Sequence, residues 1–155
     1  MGGGSGIEIT GLSNDNGYNN TTKIIEQLSG KTDNNNPPIN GAPAAEYCRN
    51  YQWKANPCNI IGKGYLPLIS ELNIIKNNIN NIAPIFKKFN KEIEFMSDGN
   101  FLIAFYKYWS CEFQDSENAQ CITHSKLLEE DFDWKNEIEQ KNVELTAWPI
   151  AQLKL

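Results

Sequence analysis

Any chemistry in this chain would have to be done with one imidazole, four thiols and an acidic run. His124 is the only histidine, which excludes a triad or metal centre built on several imidazoles. As a lone polar residue at a strand end it reads as a surface residue. The cysteines are Cys48, Cys58, Cys111 and Cys121, and no two have the Cys-x-x-Cys spacing of a zinc or redox site. The sequence contains no Gly-x-Ser-x-Gly, no phosphate-cradling Gly loop and no HExxH, so no nucleophile and base can be paired on motif grounds. The run Glu129-Glu130-Asp131, with Asp133, Glu137 and Glu139 behind it, clusters the oxygen ligands that Ca²⁺ prefers. It lacks the Glu-Pro-Asn, Gln-Pro-Asp and Trp-Asn-Asp signatures of calcium-dependent sugar sites, and it reads as a solvated face. No metal and no cofactor are expected.

The cysteine pair with structural content is Cys111 and Cys121. The stretch between them reads as two short strands folded about Asp115 and Ser116, which sets the two cysteines opposite each other. Two readings stay open: a cross-strand disulfide, or two buried thiols, since Cys is among the most buried residue types even when reduced. Cys48 and Cys58 flank a loop with Trp and Pro, a weaker candidate pair. Of the four tryptophans, Trp109 and Trp148 lie in strand-like stretches. Trp134 lies among charges. It reads either as an exposed binding aromatic or as the apolar partner of Phe132 on a buried strand face.

The elements that position these residues change character along the chain. Met1-Gly2-Gly3-Gly4-Ser5-Gly6 has the composition of a flexible linker or expression remnant, leaving residues 7–155 as a single domain. Gly11 to Tyr18 reads as loop, and Asn20 or Thr21 then caps a helix over Lys23 to Leu28 that stops at Gly30. Pro43 suits the first turn of a second helix, Ala44 to Tyr51. Leu68, Leu72, Ile75 and Ile79 recur at helical spacing, and Ile82 to Phe89 continues the amphipathic pattern. From Phe95 the period becomes strand-like: Phe101 to Trp109, Ala119 to His124, Asp131 to Lys135 and Val143 to Ile150. Helices first and antiparallel strands after them predict an α+β domain, a set of N-terminal helices followed by a twisted antiparallel sheet.

Charge narrows the partners. Nineteen acidic against fourteen basic side chains give a net charge of −5, which repels nucleic-acid phosphates and anionic lipid alike. No apolar run approaches the roughly 18 residues of a membrane span. Neither nucleic acid nor membrane insertion is expected.

Four segments together resemble one family: Asn20-Thr21-Thr22-Lys23-Ile24-Ile25, Ala44-Ala45-Glu46-Tyr47-Cys48-Arg49-Asn50-Tyr51, Gly64-Tyr65-Leu66-Pro67-Leu68-Ile69-Ser70-Glu71-Leu72 and Tyr108-Trp109-Ser110-Cys111-Glu112. With the closing Leu145-Thr146-Ala147-Trp148-Pro149-Ile150, they resemble the C-type-lectin-like domain of unknown function found at the C-terminal end of surface proteins of gut Bacteroidetes and their phages. That family includes pilus-tip adhesins and retroelement-diversified receptor-binding proteins. The departures are specific. Family members carry Ser after Tyr-Leu-Pro, where its hydroxyl and the Glu three residues on form a capping box. Here Leu68 takes that place, so Glu71 lacks its capping partner and about 0.5–2 kcal/mol of helix-end stability must come from packing. Trp-Ser-Ser-Thr-Glu has become Trp-Ser-Cys-Glu-Phe, and Ala-Trp in the next strand has become Ala119-Gln120, with Cys121 close behind. Against the family pattern, the joint appearance of Cys111 and Cys121 implies a compensating disulfide. The family's Arg in the last strand is also replaced, near Thr146 to Trp148.

The resemblance implies a C-type-lectin-like fold and a non-enzymatic, extracellular binding or adhesion domain. It implies a ligand face built by the C-terminal strands and loops, here Phe113, Gln114, Asp115 and Glu117 with Trp134, Lys135 and Asn136. The implied partners are a surface protein or glycan receptor, with pilus or tail-fibre subunits as neighbours. The alternative is a structural tip or cap domain with no ligand of its own. Formylglycine-generating oxidases share the fold, but their close-set cysteine pair does not match the spacing of Cys111 and Cys121.

Overall fold

The computed structural model describes residues 4–34, 38–51, 60–78, 81, 104–126, 133–141 and 150–153. Outside these lie Trp53, Cys58, the helix expected over Ile82 to Phe89, Glu129 to Phe132, and all but Ile150 of the strand expected over Val143 to Ile150, including Trp148.

Helix α1 spans Gly17–Leu28, and its N-cap is Asn16, whose side-chain oxygen accepts from the Asn19 N–H at 2.9 Å. The helix therefore starts six residues before the Lys23 expected from sequence (Lys23 to Gly17). Asn20 and Thr21 resemble caps because short polar side chains compete for backbone hydrogen bonds, and here they satisfy that chemistry from inside the helix. The Asn20 amide accepts from Ser13 N at 2.8 Å and donates to Ser13 O at 2.7 Å. Thr21 Oγ1 donates to Gly17 O at 2.8 Å and accepts from Leu66 N at 2.9 Å. Both residues are fully buried, on the same face as Ile24 and Leu28.

Pro43 opens α2, Pro43–Asn50, where its missing N–H costs nothing, and Ala44, Ala45 and Cys48 form the buried side. The two helices are locked by Arg49, whose guanidinium lies 4.2 Å from the Tyr18 ring centroid and donates to Tyr18 O and Thr22 Oγ1. Strand β1, Ile60–Tyr65, passes directly over the end of α2. A Cβ on Gly64 would lie 2.3 Å from the Cys48 carbonyl oxygen, so only glycine permits that approach. β1 pairs antiparallel with the last strand, β5, Ile150–Leu153, with an irregularity between Ile61 and Tyr65.

Helix α3, Ile69–Asn77, begins without a side-chain acceptor at its N-cap, Leu68. The expectation that Glu71 lacks a partner is corrected by the geometry. Glu71 Oε2 accepts from the Leu68 N–H at 2.8 Å and Oε1 from the Tyr65 hydroxyl at 2.7 Å. A different donor of the first turn is met from elsewhere in the chain: Glu112 Oε1 accepts from the Ile69 N–H at 2.8 Å.

Three antiparallel strands follow, β2 Ala104–Phe113, β3 Asn118–Lys126 and β4 Asp133–Gln140, in the order β2-β3-β4. One sheet face carries Trp109, Cys111, Ala119 and Cys121, packed in one apolar cluster with Ile24 and Leu28 of α1 and Ala44, Ala45 and Cys48 of α2. The other carries Tyr108 and Ile122, which meet Leu72 of α3. Each fully buried aliphatic side chain here contributes about 1.5–3 kcal/mol. Among the described residues the architecture is mixed α+β, three helices around a three-stranded antiparallel sheet and a smaller two-stranded one. Among the described residues no helix is long and apolar enough to cross a membrane.

Candidate functional site

The β2–β3 hairpin projects its turn, Gln114 to Glu117, from the end of the sheet nearest the N-terminal segment. Asp115 builds the turn. Its carboxylate accepts from the side chain of Asn118 and from the backbone N–H groups of Glu117 and Asn118, at 2.8 to 3.0 Å. Those bonds, the Asn118 side chain first and the Lys141 charge adding to them, hold the Asp115 carboxyl below the usual carboxylate range. Gln114, Asp115 and Glu117 are exposed, and Ser116 and Phe113 are half-buried.

Beneath the turn lies a buried ammonium. Lys141 is 1% exposed, and its Nζ donates to Ser116 O at 2.9 Å and to Ile7 O at 3.4 Å while sitting 4.1 Å from the Phe113 ring centroid. Burial pushes its pKa down, and the carboxylates of Asp115 and Glu117 push the other way. The N-terminal segment closes the arrangement. Gly6 N–H donates to Ser116 O at 3.0 Å, and the Ser5 hydroxyl donates to the Glu117 carboxylate. Gly4 to Gly6 have the composition of a linker, yet Ser5 is 5% exposed and packs under the hairpin. Gly6 takes φ +75°, a conformation that favours glycine.

The disulfide expectation is corrected here: Cys111 and Cys121 are both fully buried thiols and are not bridged. The reason is register. Near the tip Phe113 faces Ala119, the pairing that would set Cys111 opposite Cys121. A bulge between Trp109 and Phe113 then slips β2 by two residues, and Cys121 faces Trp109 instead. Cys111 is drawn toward the helices, its N–H donating to Pro67 O at 2.7 Å and its sulfur accepting from the Asn20 amide at 3.6 Å. Burial pushes the thiols of Cys111 and Cys48 up to about 12, the opposite of what a nucleophilic cysteine needs.

The second group of candidate residues stands apart from the first. Asn136 pairs with Ile122 and Lys135 with Thr123, whereas β3 leaves the turn at Asn118, opposite Gln140. Four strand residues separate them, about 13 Å at a rise of about 3.3 Å per residue. Lys135 and Asn136 are exposed on β4. For Trp134 the backbone is described, opposite His124, and the side chain lies outside the described residues. In the acidic run, Glu137 accepts from the Thr123 hydroxyl at 2.8 Å. Among the described residues no three His, Cys, Asp or Glu side chains are grouped as a metal site.

Sequence reasoning found the turn but missed its anchor. A lysine after an alternating strand reads as solvated, and only its neighbourhood shows that Lys141 is buried. The chain matches no family model, no curated protein and no solved structure.

Proposed function

We propose that this chain is a non-enzymatic binding module of the C-type-lectin-like kind, displayed at a bacterial or phage surface, and that it takes a surface protein or glycan on the β2–β3 hairpin turn. The observation that carries the reading is the contrast between the turn's outside and its underside. Outside, Gln114, Asp115 and Glu117 are solvent-facing and polar. Underneath, the Asx turn, Lys141 and the Gly4–Ile7 segment fix the backbone. A loop that is both exposed and pre-organised loses little entropy when it is engaged. The order of elements, helices before an antiparallel sheet with the last strand returning to β1, supports the fold assignment. The buried thiols with raised pKa support a non-enzymatic role.

The test is binding to a glycan array and to bacterial cells, measured for the parent protein, Gln114→Ala and Trp134→Ala. Gln114→Ala leaves the Asp115 bonds of the turn intact, so it should weaken binding at least about tenfold with unchanged melting. Binding that survives substitution of the turn would overturn the assignment of the face. A chain that binds no glycan and no cell, yet is required to assemble a fibre, would favour a structural cap.

A further inference from the structure

Behind the bulge in β2 a small cavity lies between the sheet and the helices. Ile24 of α1, Ala45 of α2 and Leu66 give it hydrocarbon walls, and Trp109, Ser110 and Lys141 help to complete them. Its volume is about 10 Å³, close to the roughly 10–15 Å³ that one buried water requires. A cavity walled by hydrocarbon alone stays dry. The polar groups of these three residues therefore decide what it holds.

Two of the three bring donors that the described residues leave unmet. Trp109 is 2% exposed, and its indole N–H finds no acceptor among the described residues. A buried N–H left unpaired forfeits the hydrogen bond it makes to water in the unfolded chain. The Lys141 ammonium carries three N–H groups. Two are directed at Ser116 O and Ile7 O, the second at 3.4 Å, and the third meets no oxygen among the described residues. Ser110 has the opposite need. Its hydroxyl donates to Gln120 O at 2.9 Å and accepts from the Glu112 N–H at 3.1 Å, which leaves one lone pair of the oxygen unused. Two donors and one acceptor on the wall of a one-water space match the roughly three hydrogen bonds that a buried water makes. An anion such as chloride would have no use for the Ser110 lone pair, and the Asp115 and Glu117 carboxylates already favour the charged ammonium.

We propose that this cavity binds a single structural water, which accepts from the Trp109 indole N–H and from the Lys141 ammonium and donates to the Ser110 hydroxyl. The water bridges the core tryptophan of β2 to the cation beneath the hairpin turn. The site does not depend on the function proposed for that turn.

The experiment is proton NMR of the full, isotope-labelled chain, with the Trp109 indole N–H assigned through its own ring and backbone resonances. That N–H should show a rotating-frame Overhauser cross-peak to water, opposite in sign to chemical exchange, and the peak should persist at acidic pH, where exchange slows. A crystal structure should place one water about 2.7–3.2 Å from both the indole and the ammonium nitrogen. Lys141→Met keeps the stem packed and removes one donor, and in that variant the cross-peak should fall at least about threefold with the chain still folded. The spectrum of the parent chain decides the case even where that variant does not fold. An indole N–H that exchanges slowly and shows no cross-peak to water would mean a dry cavity. A cross-peak of exchange sign alone would mean an indole open to bulk solvent. Either result overturns the proposal, as does an undiminished cross-peak in folded Lys141→Met or a chloride ion in the crystallographic density.

Discussion

Glu112 should hold the start of α3 from outside the helix, through its bond to the first N–H of the first turn. Its carboxylate accepts the Ile69 N–H at 2.8 Å from a strand forty-three residues away. Losing a side-chain cap costs about 0.5–2 kcal/mol, and a negative charge at a helix N-terminus adds about 0.3–1 kcal/mol. Glu112 is half-buried, so solvent recovers little of the orphaned N–H, and Glu112→Ala should cost about 2 kcal/mol. For a chain of this length that is a fall of about 4–8 °C in melting temperature. Glu112→Gln keeps an acceptor oxygen without the charge and should cost about half as much. Leu68→Ser would restore the hydroxyl the helix end lacks, worth about 1 kcal/mol. Leu68 is 3% exposed within the main apolar cluster, however, and removing such a side chain costs about 2–5 kcal/mol. Packing wins, and Leu68→Ser should destabilise. Urea denaturation gives the free energies, and amide exchange gives the location: Ile69 should lose protection in Glu112→Ala while the middle of β2 keeps it. A Glu112→Ala protein within about 0.5 kcal/mol of the parent, or a stabilised Leu68→Ser, would refute the reasoning.

Cys111 and Cys121 should alkylate independently in denaturant without reductant and resist alkylation in the native state; a peptide pair joined through them would contradict the register described for the hairpin. Because the folded thiols of Cys48 and Cys111 sit at about 12 against 9.0 for the unfolded groups, their contribution is fully present below about pH 9 and is lost as pH rises toward 12. The melting temperature should therefore be lower at about pH 10.5 than at about pH 7.5, and a flat profile would count against their burial. Lys141→Ala should cost about 3 kcal/mol and Lys141→Met less than about 1 kcal/mol, since methionine keeps the stem packed and removes the desolvated charge; chemical denaturation of both variants measures the gap. Asn20→Ala removes an amide that makes both Ser13 hydrogen bonds from a fully buried position, and it should cost about 2–3 kcal/mol.

What could be read in advance was whatever depends on period and local chemistry. The amphipathic stretch from Leu68, Pro43 at a helix start and the fold-back about Asp115 and Ser116 are local statements, and the elements stand near where they were expected. What could not be read depends on contacts distant in sequence. Asn20 and Thr21 look like caps until Ser13 and Leu66 are brought beside them. The symmetric spacing of Cys111 and Cys121 is true at the tip and false two residues further along, because a bulge set by Pro67 and the start of α3 intervenes. Ser5 reads as linker from composition and nothing local singles out Lys141, yet both are buried beneath the hairpin. Of the candidate face, the turn was legible and its continuity with Lys135 and Asn136 was not, since register alone shows how far apart they lie.

The Gly4–Ile7 segment also sets a load path. Its bonds run to Ser116, Glu117 and Lys141, and to Asn34 in the loop after α1, so tension on the backbone ahead of Ile7 is borne by the hairpin and that loop before it is borne by α1. The bonds that bear this tension are few and are the same ones that shape the turn. A ligand that grips the turn would therefore raise the force needed to strip the segment away, and stripping the segment would loosen the grip by the same free energy. Pulled from its leading end, the molecule would behave as a mechanical latch whose strength reports whether the turn is occupied.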